Sequence, residues 1–153
     1  MDLRKNLGRV LICACWVGLL CGDDGSRVEY AGGTVAMLRG TGKVQTTDER
    51  VLRFLFGRQR LEIPYHKINL IEYGQNASRR IAMAVLISPA FLLSKKRQHY
   101  LTVGFEDGNN RQQAVVLKVD KGAIRALLAS LEARTGLKVQ YQDEEARKGV
   151  RGG

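Results

Sequence analysis

The chain has three cysteines, and all of them, Cys13, Cys15 and Cys21, fall within its first 21 residues. From Gly22 onward no disulfide can form and no thiolate nucleophile is available. Cys13-Ala14-Cys15 also lacks the two-residue spacer of a metal-binding or redox pair. Histidine is nearly as scarce. His66 and His99 are the only two, and no HxH, HxxxH or HExxH spacing occurs, so the usual histidine frameworks for a metal are missing. Each reads as an ordinary strand-end residue. No GxSxG is present, and Ser88 precedes Pro89 inside an apolar run with no base nearby in sequence. Gly40-Thr41-Gly42 lacks the second spaced glycine and the Gly-Lys-Ser/Thr ending of a phosphate loop. Asp143, Glu144 and Glu145 sit in a polar tail, a poor frame for an acid/base pair. The sequence therefore predicts no catalytic residue, no metal site and no cofactor.

Apolar runs long enough to cross a bilayer are lacking as well. A spanning helix needs about 20 apolar residues. The first candidate, VLICACWVGLLC at residues 10–21, has twelve and follows a segment carrying Arg4, Lys5 and Arg9. A basic start followed by a short apolar core is the pattern of a secretory signal peptide, here residues 1–22. The cleavage site fits less well, because Leu20 occupies the −3 position for a cut after Gly22. An uncleaved anchor or a lipid on Cys15 or Cys21 are the competing readings. Export places the remaining chain in the periplasm or outside the cell.

The second candidate dominates the middle of the chain. Residues 81–93 are thirteen apolar or small residues, flanked by Arg79 and Arg80 on one side and Lys95, Lys96 and Arg97 on the other. As a helix they would cover only about 20 Å of a ~30 Å hydrocarbon core, and Pro89 would break or kink it. Basic residues on both flanks also give no orientation signal. Two readings remain. The run is a buried crossover on neighbouring strands, or it is an apolar loop with a basic collar that dips Phe91, Leu92 and Leu93 into a lipid surface.

Charge bears on the same choice. The whole chain carries 25 basic and 15 acidic residues. Without residues 1–22, which hold Arg4, Lys5, Arg9 and Asp2, the balance is 22 to 14, a net of +8. A basic exported domain favours lipid head groups, acidic polysaccharide or nucleic acid, although moderate net charge also serves plain solubility.

The rest of residues 23–137 reads as one domain with an insertion at 79–97, enough chain for its own core. Strand-forming segments occur at 28–38, with a bend or bulge at Gly32-Gly33, and at 43–47, 51–56, 61–65, 68–74, 99–107 and 111–119. Pro64 belongs at a strand end or on an edge. In 68–74, Ile68, Leu70 and Glu72 alternate with Asn69, Ile71 and Tyr73; in 99–107, Leu101, Val103 and Phe105 form an apolar face. Asp107-Gly108 and the following asparagines supply positive-φ candidates for a hairpin. A helix follows, with Asp120 as N-cap, Ile124, Leu127, Leu128 and Leu131 on one face, and Gly136 as its stop. Residues 138–153 read as a charged, flexible tail.

Seven strands and then one amphipathic helix resemble the PH-like (pleckstrin-homology/GRAM) architecture, a bent seven-stranded sheet or barrel capped by a C-terminal helix. IPYHKINLIEYGQ at 63–75 and KKRQHYLTVGFED at 95–107 look like the paired motifs of exported bacterial PH-like proteins of unknown activity, and the likeness covers about residues 28–135. It implies a fold and a binding role, not a ligand. The phosphoinositide loop of the eukaryotic family is represented here only by Arg39 and Lys43, so no family binding residue carries over.

The expected function is therefore non-catalytic. In one reading an exported module meets an anionic membrane surface through Arg79, Arg80, Lys95, Lys96 and Arg97, with Phe91, Leu92 and Leu93 as apolar contacts. In the other, a soluble module docks a protein partner and buries residues 81–93 as core. Nucleic acid is the weakest partner class, because Phe54, Phe56, Tyr65 and Tyr73 alternate as core residues do rather than as stacking platforms.

Overall fold

The computed structural model describes residues 25–35, 38, 40–75, 98–142 and 147–148. It is mainly β with one C-terminal helix. The strands are β1 (Ser26–Gly33), β2 (Thr41–Gln45), β3 (Val51–Phe56), β4 (Gln59–Pro64), β5 (Ile68–Gly74), β6 (His99–Glu106), β7 (Gln112–Val119) and the two-residue β8 (Gln140–Tyr141). A single 3-10 turn, Tyr65–Lys67, links β4 to β5, and the helix α1 spans Lys121–Thr135.

The eight strands form one sheet in the order β4-β3-β2-β1-β7-β6-β5-β8. Every pairing is antiparallel except β5 with β8. Alternation explains the inner face: Leu52, Phe54 and Phe56 of β3 are buried, while Val51, Arg53 and Leu55 between them are half-buried. The same face continues through Val44, Val28, Val115, Leu117, Leu101 and Val103. These join Ile124, Leu127, Leu128 and Leu131 of α1 in one contiguous core. Seven strands laid flat at about 4.8 Å spacing would be ~29 Å wide, nearly three times the ~10 Å width of a helix. One helix can share a single core with all of them only because the sheet curls around it. The sheet does not close into the barrel that was one form of the expectation: β4 and β8 stay as separate edges.

Several local expectations are refined. The irregularity in β1 falls between Tyr30 and Gly32, so Ala31 is the extra residue. Gly33 lies beside it at φ +147°, where a Cβ would meet the Ala114 carbonyl oxygen at 2.3 Å. In β5 a second shift between Ile68 and Leu70 makes Asn69 the odd residue and puts Ile68 on the core side with Ile71 and Tyr73. Asn110, at φ +57°, is the asparagine that turns the β6–β7 hairpin. Pro64 ends the edge strand β4, as its missing donor requires. Asp120 occupies the N-cap position of α1 without a side-chain cap bond, and its backbone carbonyl accepts from the amides of Ala123 and Ile124 instead. Gly136 ends the helix in the left-handed region, φ +73°. Part of the expected tail is ordered as β8, which lies parallel to β5 through Glu72 opposite Gln140 and Tyr73 opposite Tyr141.

Candidate functional site

All eight residues singled out for surface contact, Arg79, Arg80, Phe91, Leu92, Leu93, Lys95, Lys96 and Arg97, lie outside the described residues. Their point of attachment does not. The chain leaves the sheet after Gly74 at the end of β5 and returns at His99, the first residue of β6. Gly74 and Tyr100 form the last paired rung, and the Gln98 amide donates to the Gln75 carbonyl at 3.4 Å. The two ends of the insertion are therefore neighbours.

Registers show what else stands at that end. Val28, Val119 and His99 line up across β1, β7 and β6, and Glu29, Lys118 and Tyr100 form the next rung. Ser26 at the start of β1, Gly74 at the end of β5 and Lys121 at the start of α1 consequently share one end of the sheet. Lys118 Nζ reaches Glu29 at 3.1 Å, and Lys121 is exposed.

Around the insertion's base three rings gather. Tyr73 is fully buried; its ring is nearly parallel to that of His99, with centroids 5.9 Å apart, and edge-on to Tyr141 at 6.1 Å. The Tyr73 hydroxyl and His99 Nδ1 are hydrogen-bonded. Burial, with a smaller contribution from the Lys121 ammonium, pushes the His99 pKa below its ordinary value. His99 is therefore neutral near pH 7, and one of its ring nitrogens can serve as an acceptor. The Gln142 amide donates to the Tyr73 carbonyl at 3.0 Å, tying β8 to this cluster. A phenol, an imidazole and a second phenol thus pack on one another at this corner of the sheet. Tyr73 and His99 were legible as a core residue and a strand-end residue; Tyr141 gave no signal, because it sits in a stretch that reads as tail.

Elsewhere the polar residues serve the turns. Asp48 accepts from the Arg50 and Val51 amides and from Arg53, which also donates to Glu62, and Arg60 joins Glu62. Those hydrogen bonds hold the carboxyls of Asp48 and Glu62 below the usual range. Asp107 accepts from the Asn109 and Arg111 amides and from the side chains of Arg111 and Gln113, with the same effect. A cleft of about 230 Å³ is lined by Gly25, Ser26, Val44, Thr46 and Thr47. Among the described residues its lining has no ionisable group, and its volume is below the ~300 Å³ at which ligand pockets begin. Among the described residues no group of three or more His, Cys, Asp or Glu is placed to hold a metal, and no helix is long and apolar enough to cross a membrane. A scan against protein-family models finds no match, and a search of curated proteins finds none either.

Proposed function

We propose that the chain is an exported, non-catalytic PH-like binding module that associates reversibly with an anionic membrane surface through the basic flanks of its insertion. The observation that carries this reading is the joining of the insertion's two ends. Gln75 and Gln98 are bonded to each other, and in the sequence Arg79 and Arg80 follow the first within five residues while Lys95, Lys96 and Arg97 are the three residues before the second. Five positive charges thus start within a few residues of one corner of the sheet, with Lys118 and Lys121 at the same end. Each basic residue near an anionic bilayer contributes about 1 kcal/mol, so five together suffice for reversible attachment. The unbroken run of seven antiparallel neighbours, followed by a helix on their inner face, supports the PH-like architecture suggested by the two sequence motifs.

Co-sedimentation of residues 23–153 with vesicles tests the proposal. Binding is expected to anionic vesicles and not to neutral ones, to weaken at high salt, and to collapse when Lys95, Lys96 and Arg97 are replaced by glutamate. Failure to bind either vesicle would end the lipid reading and leave the soluble module with a protein partner.

A further inference from the structure

β4 (Gln59–Pro64) pairs with β3 on one side, and among the described residues no strand pairs with it on the other. The register decides which of its backbone groups face that free edge. The Tyr65 amide donates to the Arg50 carbonyl at 3.0 Å. That pair continues the β3–β4 ladder, in which Leu52 stands opposite Ile63, Phe54 opposite Leu61 and Phe56 opposite Gln59. Antiparallel pairs alternate between bonded and non-bonded, so Gln59, Leu61 and Ile63 bond to β3. Arg60, Glu62 and Pro64 turn their backbone groups outward. Proline has no N–H, which leaves the amides of Arg60 and Glu62 as the donors on this edge. Their side chains are 57 and 40% exposed. Leu61 and Ile63 point to the inner face, where Ile63 joins the core and Leu61 packs against it.

We infer that this edge pairs with the β4 edge of a second copy of the chain, antiparallel, about a two-fold axis at Leu61. Outward-facing groups occur at alternate residues, so the register shifts in steps of two. Centring the pair on Arg60 or on Glu62 sets that residue against its own copy, and like charges directly opposite are destabilising. Centring it on Leu61 sets Arg60 against Glu62 of the second copy, and Glu62 against the second copy's Arg60. Both rungs then join opposite charges, and each exchanges both of its N–H···O bonds. The same surface on both copies satisfies itself, as an isologous contact requires. Pro64, without a donor, ends the ladder on each side. Charges on an edge ordinarily keep other strands away; here their alternation rejects the neighbouring registers and favours this one. Glu62 already accepts from Arg53 of β3 at 2.7 Å, and in the pair it lies between that guanidinium and the second copy's Arg60. Arg60 exchanges a contact with Glu62 of its own strand for one directly across. On the inner face Leu61 meets its own copy in a non-bonded pair, the closer-spaced kind. β4 has six residues, a length of about 20 Å, which is short for the ~1,200 Å² that stable interfaces bury. The dimer is therefore weak and concentration-dependent.

A charge-exchange series in the full chain, without lipid, tests the pairing. Sedimentation velocity over a concentration series is expected to show a monomer–dimer equilibrium for the native chain. R60E and E62R should each lose it, because one then carries only acid at the two rungs and the other only base. Mixed in equal amounts, these two variants should associate with each other, and R60E/E62R should regain self-association. A native chain that stays monomeric, a single variant that still dimerises, or a mixture or double variant that fails to associate would overturn the inference. Hydrogen exchange on the native chain guards against a variant that misfolds. The Arg60 and Glu62 amides should exchange fast in dilute solution and slow down as concentration rises. Those of Leu61 and Ile63, bonded to β3, should stay protected throughout. Exchange at Arg60 and Glu62 that does not change across the series would also overturn it. Vesicle binding enters neither readout, so the lipid reading stands or falls separately.

Discussion

Tyr73 and His99 meet across neighbouring strands with their rings 14° from parallel and the phenol hydrogen-bonded to Nδ1. The pair sits where the chain returns from its insertion, so the protonation state of one imidazole bears on the stability of that corner. Burial and Lys121 both lower the His99 pKa. The unfolded chain therefore takes up the proton more readily than the folded one. Stability from this group is full above the unfolded value, near 6.5, and declines as pH falls from there toward the folded pKa. Urea midpoints should drop between pH 7.5 and 5 in the native chain and drop less in His99→Gln. In a proton NMR titration the His99 midpoint should lie below 6.5 and move up in Lys121→Gln.

Gly33 should not tolerate a side chain. Its φ of +147° is a region that L-residues rarely adopt, and an added Cβ would lie 2.3 Å from the Ala114 carbonyl oxygen and 3.1 Å from Val115 Cα. Both obstacles are backbone and cannot swing aside. Gly33→Ala should lower the unfolding free energy by at least about 1–3 kcal/mol, measured by urea denaturation, with the largest hydrogen-exchange increase in β1 and β7.

Much of this fold is written locally. Leu52, Phe54 and Phe56 alternate over six residues, and Ile124, Leu127, Leu128 and Leu131 repeat with the helical period, so β3 and α1 could be read without neighbours. The features that escaped are non-local. β8 exists because two tail residues find the free edge of β5, and nothing in Gln140-Tyr141 announces a parallel partner. The shift at Asn69 moves Ile68 to the core side, against the alternation its neighbours suggest. Tyr100, Thr102 and Gly104 look like a solvated face because threonine and glycine are neutral signals; only the assembled sheet shows that this face is buried. The candidate site was legible as charge flanking an apolar run, whereas the joining of its two ends required the β5–β6 register.

Leu131 tests whether α1 is integral to the domain or merely docked on it. Its side chain is fully buried within the core that spans the sheet. Leu131→Ala removes three carbons and leaves a cavity, which typically costs about 2–5 kcal/mol. A single cooperative transition, shifted by that amount at unchanged m-value, is expected from far-UV circular dichroism in urea. A biphasic curve with early loss of helix would mean that the sheet stands without α1.

Tyr65 offers the opposite outcome. It is 4% exposed, its ring lies under the Arg134 guanidinium at 5.7 Å, and its hydroxyl oxygen has no hydrogen-bond partner among the described residues. A buried, unpartnered polar group costs about 1–3 kcal/mol. Tyr65→Phe keeps the ring beneath Arg134 and removes only the stranded oxygen, so it should stabilise the domain by about 1 kcal/mol in urea titrations. Burial also raises the Tyr65 pKa, which makes folding increasingly unfavourable as pH climbs past the unfolded value of 10.0. Tyr100 titrates in the same direction, so the variant should show a shallower alkaline decline without abolishing it. A destabilised Tyr65→Phe would show instead that the hydroxyl is bonded in solution.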